Sequence, residues 1–325
     1  MTPPPLAIER LALRLQQLPG VGVARLRRIL GSIEFRKLSP GGFVSLPDDA
    51  LLTVFGLNAD AIIQLRQTTP LEAELWGKLV SNGISLVVQG TPSYPKRLKS
   101  LLGDEAPPLL FVKGDPAVLQ SPGVGFCGSR KASEKGLSVA RECSRLLANQ
   151  RLNIVSGYAH GVDLAAHSGA LEAGGTTTAV LAEGILHFKI KESLREQFHD
   201  NELKNVTVVS EFPPNLPWKA HNAMARNRTI CGLSDALVVI ESGLEGGTFE
   251  AAKSALSFDE PLFCVEYADP AQSAAGNSWL VKHGAVSLRR SRTGLPNLSR
   301  VVEAVHSQRT RLLGFEQSDL CSNQG

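Results

Sequence analysis

The sequence predicts an α/β protein: a parallel sheet with helices on both faces, preceded by a small all-α domain. Three observations predict it. From about residue 84 onward, short β-branched runs alternate with helical stretches. Those runs are apolar on both faces, which implies strands buried on both sides and crossed over by helices. Glycines and small polar residues gather just after the runs, where sheets of this kind place their ligands. Residues 6–67 differ, because Ile8, Leu11, Leu15 and Leu18 recur at helical spacing.

In chain order, the first helical stretch ends at Leu18-Pro19-Gly20-Val21-Gly22, and a second follows over 23–30. Val54-Phe55-Gly56-Leu57, with the helical stretch behind it, is a weaker second copy. Thr68-Thr69-Pro70 reads as a linker. Strands are expected at 84–88, 109–112, 123–127, 152–155, 177–182, 206–210, 236–240, 261–266 and 285–288. Helices are expected at 134–149, 162–173, 190–200, 220–232, 248–257 and 276–283. The organisation that follows is a helical domain over 1–70, an α/β core over 71–288 and a basic tail over 289–325.

With 325 residues and 43% apolar composition, the chain has ample material for a core. The net charge is only +3, which excludes a polycation that grips nucleic acid by charge alone. Residues 1–70 and 289–325 each carry a net +3, and residues 71–288 a net −3. An anion site in the core must therefore rest on backbone amides and a few placed cations. The five cysteines are odd in number and form no C-x-x-C pair, which fits reduced thiols in a cytosol and argues against a disulfide framework or a zinc site. No signal peptide and no membrane-spanning run are expected. The expectation is a cytoplasmic protein with no metal and no cofactor.

Three turns after buried strands suit an anion. Gly128-Ser129-Arg130-Lys131 joins a close backbone approach, a hydroxyl and a planar guanidinium fork at the start of a helix. Ser156-Gly157 opens a second turn, which runs through Gly161 to Asp163 and His167. Asp163 and His167 lie four apart on one helix face, but no nucleophile accompanies them, so they are read as loop brace and packing. Gly246-Gly247-Thr248 forms the third turn, with Glu241, Glu245 and Glu250 opposing phosphate nearby. Arg226 and Arg228, two apart on a helix, do not share a face, so one can meet a ligand while the other braces the fold. Lys131, Lys253 and Lys282 join the candidates from charge and position near strand ends. In the helical domain, Gly20, Gly22 and Arg25 are candidates for duplex contact, because tight glycine turns free amides at a helix N-terminus. An ordinary helix–helix turn remains open there.

Taken together, the chain resembles the DprA/Smf family of DNA-processing proteins. The resemblance is carried by Tyr94-Pro95, Gly128-Ser129-Arg130, Ser156-Gly157 with Gly161 and Asp163, Ala166-His167, Ser210-Glu211-Phe212-Pro213, Arg226-Asn227-Arg228, and Gly276-Asn277 with Gly284-Ala285. These keep order and spacing from about 75 to 288. The resemblance implies an extended Rossmann-like fold behind a helix-hairpin-helix or SAM-like region. It also implies a homodimer that binds single-stranded DNA and hands it to a RecA-type recombinase. Gly128, Ser129, Arg130, Ser156, Gly157 and Arg226 would line its phosphate pocket.

Several stretches depart from the family pattern. Glu183 to Ile190 replaces a Tyr-Pro-x-x-Asn stretch, and the turn over 242–250 is rewritten. The Pro-Gly that often follows the strand at 261–266 is missing, and too few residues follow the core for a winged helix. Two other readings stay open on the same core. Gly246-Gly247-Thr248 with Glu250 resembles the loop of nucleoside-monophosphate phosphoribohydrolases, although Ala251 stands where their glutamate would. The other is a nucleotide sensor in a defence system.

Overall fold

The computed structural model describes residues 6–195, 204–291 and 294–322. Six helices come first: α1 (Ile8–Gln17), α2 (Val23–Phe35), α3 (Pro40–Val44), α4 (Asp48–Thr53), α5 (Ala59–Arg66) and α6 (Pro70–Ser81). Side chains of Ser39, Asn58 and Thr69 accept the otherwise unpaired amides that open α3, α5 and α6. Gly20 takes φ +77, a left-handed conformation that glycine adopts without strain, and so turns the chain from α1 into α2.

The core of the six helices is continuous with that of the sheet. Leu26, Ile29, Phe43 and Leu79 share one apolar cluster with Ile84, Leu86, Phe111 and Val208 of the sheet. The Thr68-Thr69-Pro70 stretch, expected to be a linker, is held firmly. Thr68 Oγ1 accepts from Arg14, Thr69 caps α6, and Pro70 sits in its first turn. The same Arg14 donates Nε to Glu72 Oε2 at 2.9 Å and Nη1 to Leu65 O at 2.9 Å. Arg10 reaches Glu72 Oε1 at 3.0 Å, so a buried carboxylate ties α1 to α6.

Nine strands follow: β1 (Ile84–Val88), β2 (Leu109–Lys113), β3 (Gly123–Cys127), β4 (Asn153–Ser156), β5 (Thr177–Val180), β6 (Val206–Ser210), β7 (Ala236–Val239), β8 (Leu262–Val265) and β9 (Val286–Leu288). They form one sheet in the order β1-β2-β6-β5-β4-β3-β7-β8-β9. Every pair is parallel except those of β2, which runs against both β1 and β6. The sheet is thus mostly parallel, as its sequence predicts, with β2 the reversed strand. The segment after β1 returns to β2 from the edge at which β1 ended, so β2 runs back along it.

The later helices are α7 (Lys96–Leu102), α8 (Glu134–Asn149), α9 (Val162–Glu172), α10 (Glu192–Arg195), α11 (Ala220–Gly232), α12 (Gly247–Ser257), α13 (Asn277–Lys282) and α14 (Ser299–Ser322). Residues 196–200 of the helix expected over 190–200 lie outside the described residues. α8, α9 and α14 cover one face of the sheet, where Cys143, Leu147, Ala170 and Val301 meet Val124, Phe126 and Val238. α7, α11 and α12 cover the other, where Leu98, Ile230 and Ala252 meet Val155, Val180 and Val239. The segment expected to be a basic tail is instead docked. Leu298, Val301 and Val305 are buried, and Arg309 pairs with Asp235 at 2.8 Å. The four cysteines at 127, 143, 231 and 264 are buried and unpaired, and no helix among the described residues is long and apolar enough to cross a membrane.

From β3 the strands proceed outward in both directions, β4 to β6 on one side and β7 to β9 on the other. The reversal between β3 and β7 opens a crevice at the carboxyl edge, the place where such sheets bind ligands. Removing the carboxylate that ties α1 to α6 leaves Arg14 buried and uncompensated, so Glu72→Ala is expected to cost about 3–5 kcal/mol of folding stability, read by urea denaturation.

Candidate nucleic-acid interface

The crevice is built from interlocked loops. After β3, Ser129 donates its backbone N–H to Glu241 O at 2.8 Å, which ties the loop to the end of β7. After β4, Val162 donates to Ser129 O at 3.3 Å. A Cβ on Gly128 would strike Val162, and one on Gly161, at φ +82, would strike Ser129 O. These two glycines therefore let the loops approach each other. Glu241 is fully enclosed and accepts from Ser133 N at 2.9 Å and Ser273 Oγ at 2.6 Å, so it braces the fold and does not oppose a ligand.

Arg226 projects from α11 into this frame. It is 6% exposed, and a Cβ on Gly157 would collide with its guanidinium. Its Nη1 lies 3.8 Å from Asp163 Oδ2, too far for a hydrogen bond. Its Nε has no hydrogen-bond partner among the described residues. Burial pulls this guanidinium down from its ordinary pKa while Asp163 opposes the shift. Asp163 also accepts from Ala159 N at 3.2 Å, which braces the loop.

Beside it Arg130 stands exposed, its guanidinium 5.6 Å from the centre of the Trp218 ring. Trp218 is 48% exposed, unusual for so large an aromatic side chain. Arg130, Arg226, Ala159 and Trp218 are shared by two adjoining hollows. One, of about 420 Å³, is lined by Gly128, Ser129, Asn227, Gly247 and Thr248. The other, of about 370 Å³, is lined by Tyr158, Glu183, Lys189 and Lys191. Four cations thus face Asp163, Glu183 and Glu245. Lys191 donates Nζ to Tyr158 O at 2.5 Å and lies 4.8 Å from its ring centre, and burial lowers its pKa.

Of the residues singled out from the sequence, Gly128, Ser129, Arg130, Arg226, Gly247 and Thr248 line this cleft, and Gly157 lies buried behind it against Arg226. Ser156 does not line it: its hydroxyl, fully buried, donates to Phe126 O at 2.8 Å. Gly246, at φ +96, serves the entry into α12. Lys131 is exposed and gives its backbone N–H to Ser129 Oγ at 3.0 Å. Lys253 pairs with Glu250 at 3.1 Å on the surface of α12, and Lys282 is exposed on α13. Gly20, Gly22 and Arg25 lie in the helical region, where Arg25 donates to Gly20 O at 2.8 Å and closes its own turn.

Trp218, Lys189 and Lys191 were not singled out. A tryptophan after Pro213-Pro214 and Pro217 was the available signal, since a turn-rich stretch rarely buries one. The stretch over 183–190 departs from the family pattern yet still walls the cleft with Lys189.

Two buried acid–base groups lie behind the cleft and are structural. His167 is 1% exposed. Its Nε2–H donates to Gly157 O at 2.6 Å, and Nδ1 lies 2.6 Å from Thr177 Oγ1, whose hydroxyl donates to Ile154 O at 2.7 Å. Burial holds its pKa below the ordinary value. Glu211 accepts from Thr229 at 2.9 Å, and burial pushes its carboxyl up to about 7.

A doubly wound sheet with a cationic cleft at its switch point defines a class of α/β proteins that hold anions at the carboxyl edge. The family is set by comparison. Residues 85–298 match the model of DNA recombination-mediator protein A, and the chain belongs to that DprA/Smf family. It is 33% identical to Protein Smf of Escherichia coli over 219 residues, 66% of this chain and 56% of that protein. It is 32% identical to DNA processing protein DprA of Bacillus subtilis over 63% of this chain and 68% of that one. The chain thus spans little more than half the length of the Escherichia coli relative. DprA from Streptococcus pneumoniae superposes with a TM-score of 0.68 at 27% identity, covering 86% of this chain and 93% of that one. The fold is also that of DNA processing protein A from Helicobacter pylori, described for its single-stranded DNA binding mode, with a TM-score of 0.55 at 23% identity over 70% of this chain and 96% of that one.

Glu211 makes stability depend on pH with a defined sign. The folded chain holds a proton that the unfolded chain releases near the ordinary 4.5. The stability it contributes is full below that value and is lost as pH rises through about 7. Glu211→Gln stays neutral throughout, so its stability relative to wild type is expected to rise between pH 5 and pH 8. Denaturation midpoints at the two pH values check this.

Proposed function

We propose that the chain binds single-stranded DNA in the cleft at the carboxyl edge of its sheet and acts in DNA processing or recombination. The observation that carries this reading is the meeting of Arg130, Arg226 and Trp218 at one opening. A guanidinium fork recognises a phosphate, an under-compensated buried arginine gains an anion, and an exposed indole offers a face to an unpaired base. Membership of the DprA/Smf family supports the same reading. The phosphate contacts are assigned to the Ser129 hydroxyl and to Arg130 and Arg226, with Gly128 allowing the backbone a close approach. Gly247 and Thr248 form the far wall. Lys131, Lys253 and Lys282, outside the cleft, are assigned at most a long-range electrostatic part.

The wider role follows the family. The chain acts as a homodimer in the cytoplasm and passes the strand to a RecA-type recombinase. The segments 1–70, 71–288 and 289–325 are its functional divisions, with Gly20, Gly22 and Arg25 as a contact for duplex. The chain acts as a binder and not as a phosphoribohydrolase. Glu250, the one candidate carboxylate of such an enzyme, is paired with Lys253 on the outside of α12.

Fluorescence anisotropy with labelled oligothymidylate tests the binding site. Arg130→Ala is expected to weaken binding by the equivalent of about 1.5–3 kcal/mol, and Trp218→Ala by about 1–3 kcal/mol. Arg290→Ala, which changes an exposed residue outside the cleft, is expected to leave affinity unchanged. Equal losses at Arg130 and Arg290 would mean that the strand lies elsewhere.

A further inference from the structure

A second cationic groove lies between the helical region and the core, away from the cleft. It has a volume of about 1040 Å³. One wall is a single face of α2, formed by Ala24, Arg27, Arg28, Gly31 and Glu34. The other is a face of α7 with the turn before it, including Lys96, Lys99 and Ser100. Residues of one helix that lie three, four and seven apart share a face, so both stripes follow from helical spacing.

The groove is open because its α2 wall is small between the cations. No described residue lies within 4 Å of where a Cβ on Gly31 would stand. Four basic residues line it against two acidic ones, Glu34 and Asp104. The internal bonds of Arg27 and Arg28 leave donors over. Arg27 gives Nε to Ala106 O at 3.0 Å, and Arg28 gives Nη2 to Phe55 O at 3.4 Å. The two Nη groups of Arg27, and Nε and Nη1 of Arg28, have no partner among the described residues. Lys99 donates to Gly103 O at 3.1 Å and stands 3.7 Å from Asp104, both at the surface.

We infer that this groove is a second binding site for nucleic acid, taking the phosphodiester backbone of a single strand between α2 and α7. Its volume lies at the upper end of the roughly 300–1,000 Å³ of small-molecule sites, and its cations stand on both walls. A chain of phosphates meets both walls at once, whereas a single small anion meets one. The inference rests on the reading of the chain as a single-strand binder and extends it. The cleft at the carboxyl edge holds a short stretch of the strand, and the groove engages strands long enough to reach it.

Gly31 provides a test that leaves the packing alone. Gly31→Glu places a carboxylate in open space on an exposed helical position, and Gly31→Ala adds one uncharged methyl there as a control. Lys99→Ala removes a cation from the other wall. Each variant of the full chain is titrated with oligothymidylate of 6 and of 40 nucleotides over a range of salt. For the 40-mer, Gly31→Glu is expected to weaken binding about tenfold. Lys99→Ala is expected to make the slope of log K against log salt shallower by roughly 0.7, the value for one single-strand phosphate contact. Gly31→Ala should match wild type, and all three variants should bind the 6-mer as wild type does. An unchanged 40-mer affinity and slope, or equal losses for both lengths, would overturn the groove. Arg130→Ala in the same series judges the cleft separately: loss of 6-mer binding supports the cleft, and its retention refutes it whatever the groove variants do.

Discussion

Arg226 is a guanidinium taken out of water with little to compensate it. Desolvating such a group costs several kcal/mol unless paired and hydrogen-bonded partners offset it. The nearest carboxylate, Asp163, stands 3.8 Å away and is shared with the Ala159 amide. The surroundings are arranged around this charge. Gly157 leaves room for it, α11 projects it toward the switch point, and the loops after β3 and β4 enclose it. An incompletely compensated buried cation whose Nε has no partner among the described residues gives an anion something to gain on entering. A fully paired one would not.

The interlock of loops explains why so many glycines stand at this edge. Gly128 is required by Val162, Gly161 by the Ser129 carbonyl and Gly157 by Arg226. The crowding comes from the protein itself, so these positions shape the cleft whether or not a ligand is present. Such a frame holds the loop that carries Ser129 and Arg130 in place before a strand arrives, which lowers the ordering cost of binding. The second groove obeys a different rule. Gly31 on its α2 wall meets no described residue within 4 Å, and its cations are carried on two helix faces.

Most of the sheet was legible in the sequence because strands buried on both faces read as unbroken apolar runs. The strands at 123–127 and 206–210 and the helices at 134–149 and 220–232 fall where their residues predict. The reversed direction of β2 was not legible, because a return from the same edge and a crossover to the other edge leave the same local pattern. The cleft residues named from turn chemistry were found where backbone decides, at Gly128, Ser129 and Gly247. Ser156 was misleading because it ends a strand: the pleat points its hydroxyl inward to Phe126 O. Trp218 and Lys191 were missed because their place depends on how distant loops fold over β5 and β6.

The claim that a single strand lies in the cleft against an exposed indole is tested most directly by tryptophan fluorescence. Of the three tryptophans, Trp218 alone is largely exposed and lines the cleft. Saturating oligothymidylate should quench the wild-type emission, with the same midpoint as binding by anisotropy, and the quench should vanish in Trp218→Phe while binding persists. A Trp218→Phe protein that binds the strand and still shows the full wild-type quench would contradict it, as would tight binding with no change in wild-type emission.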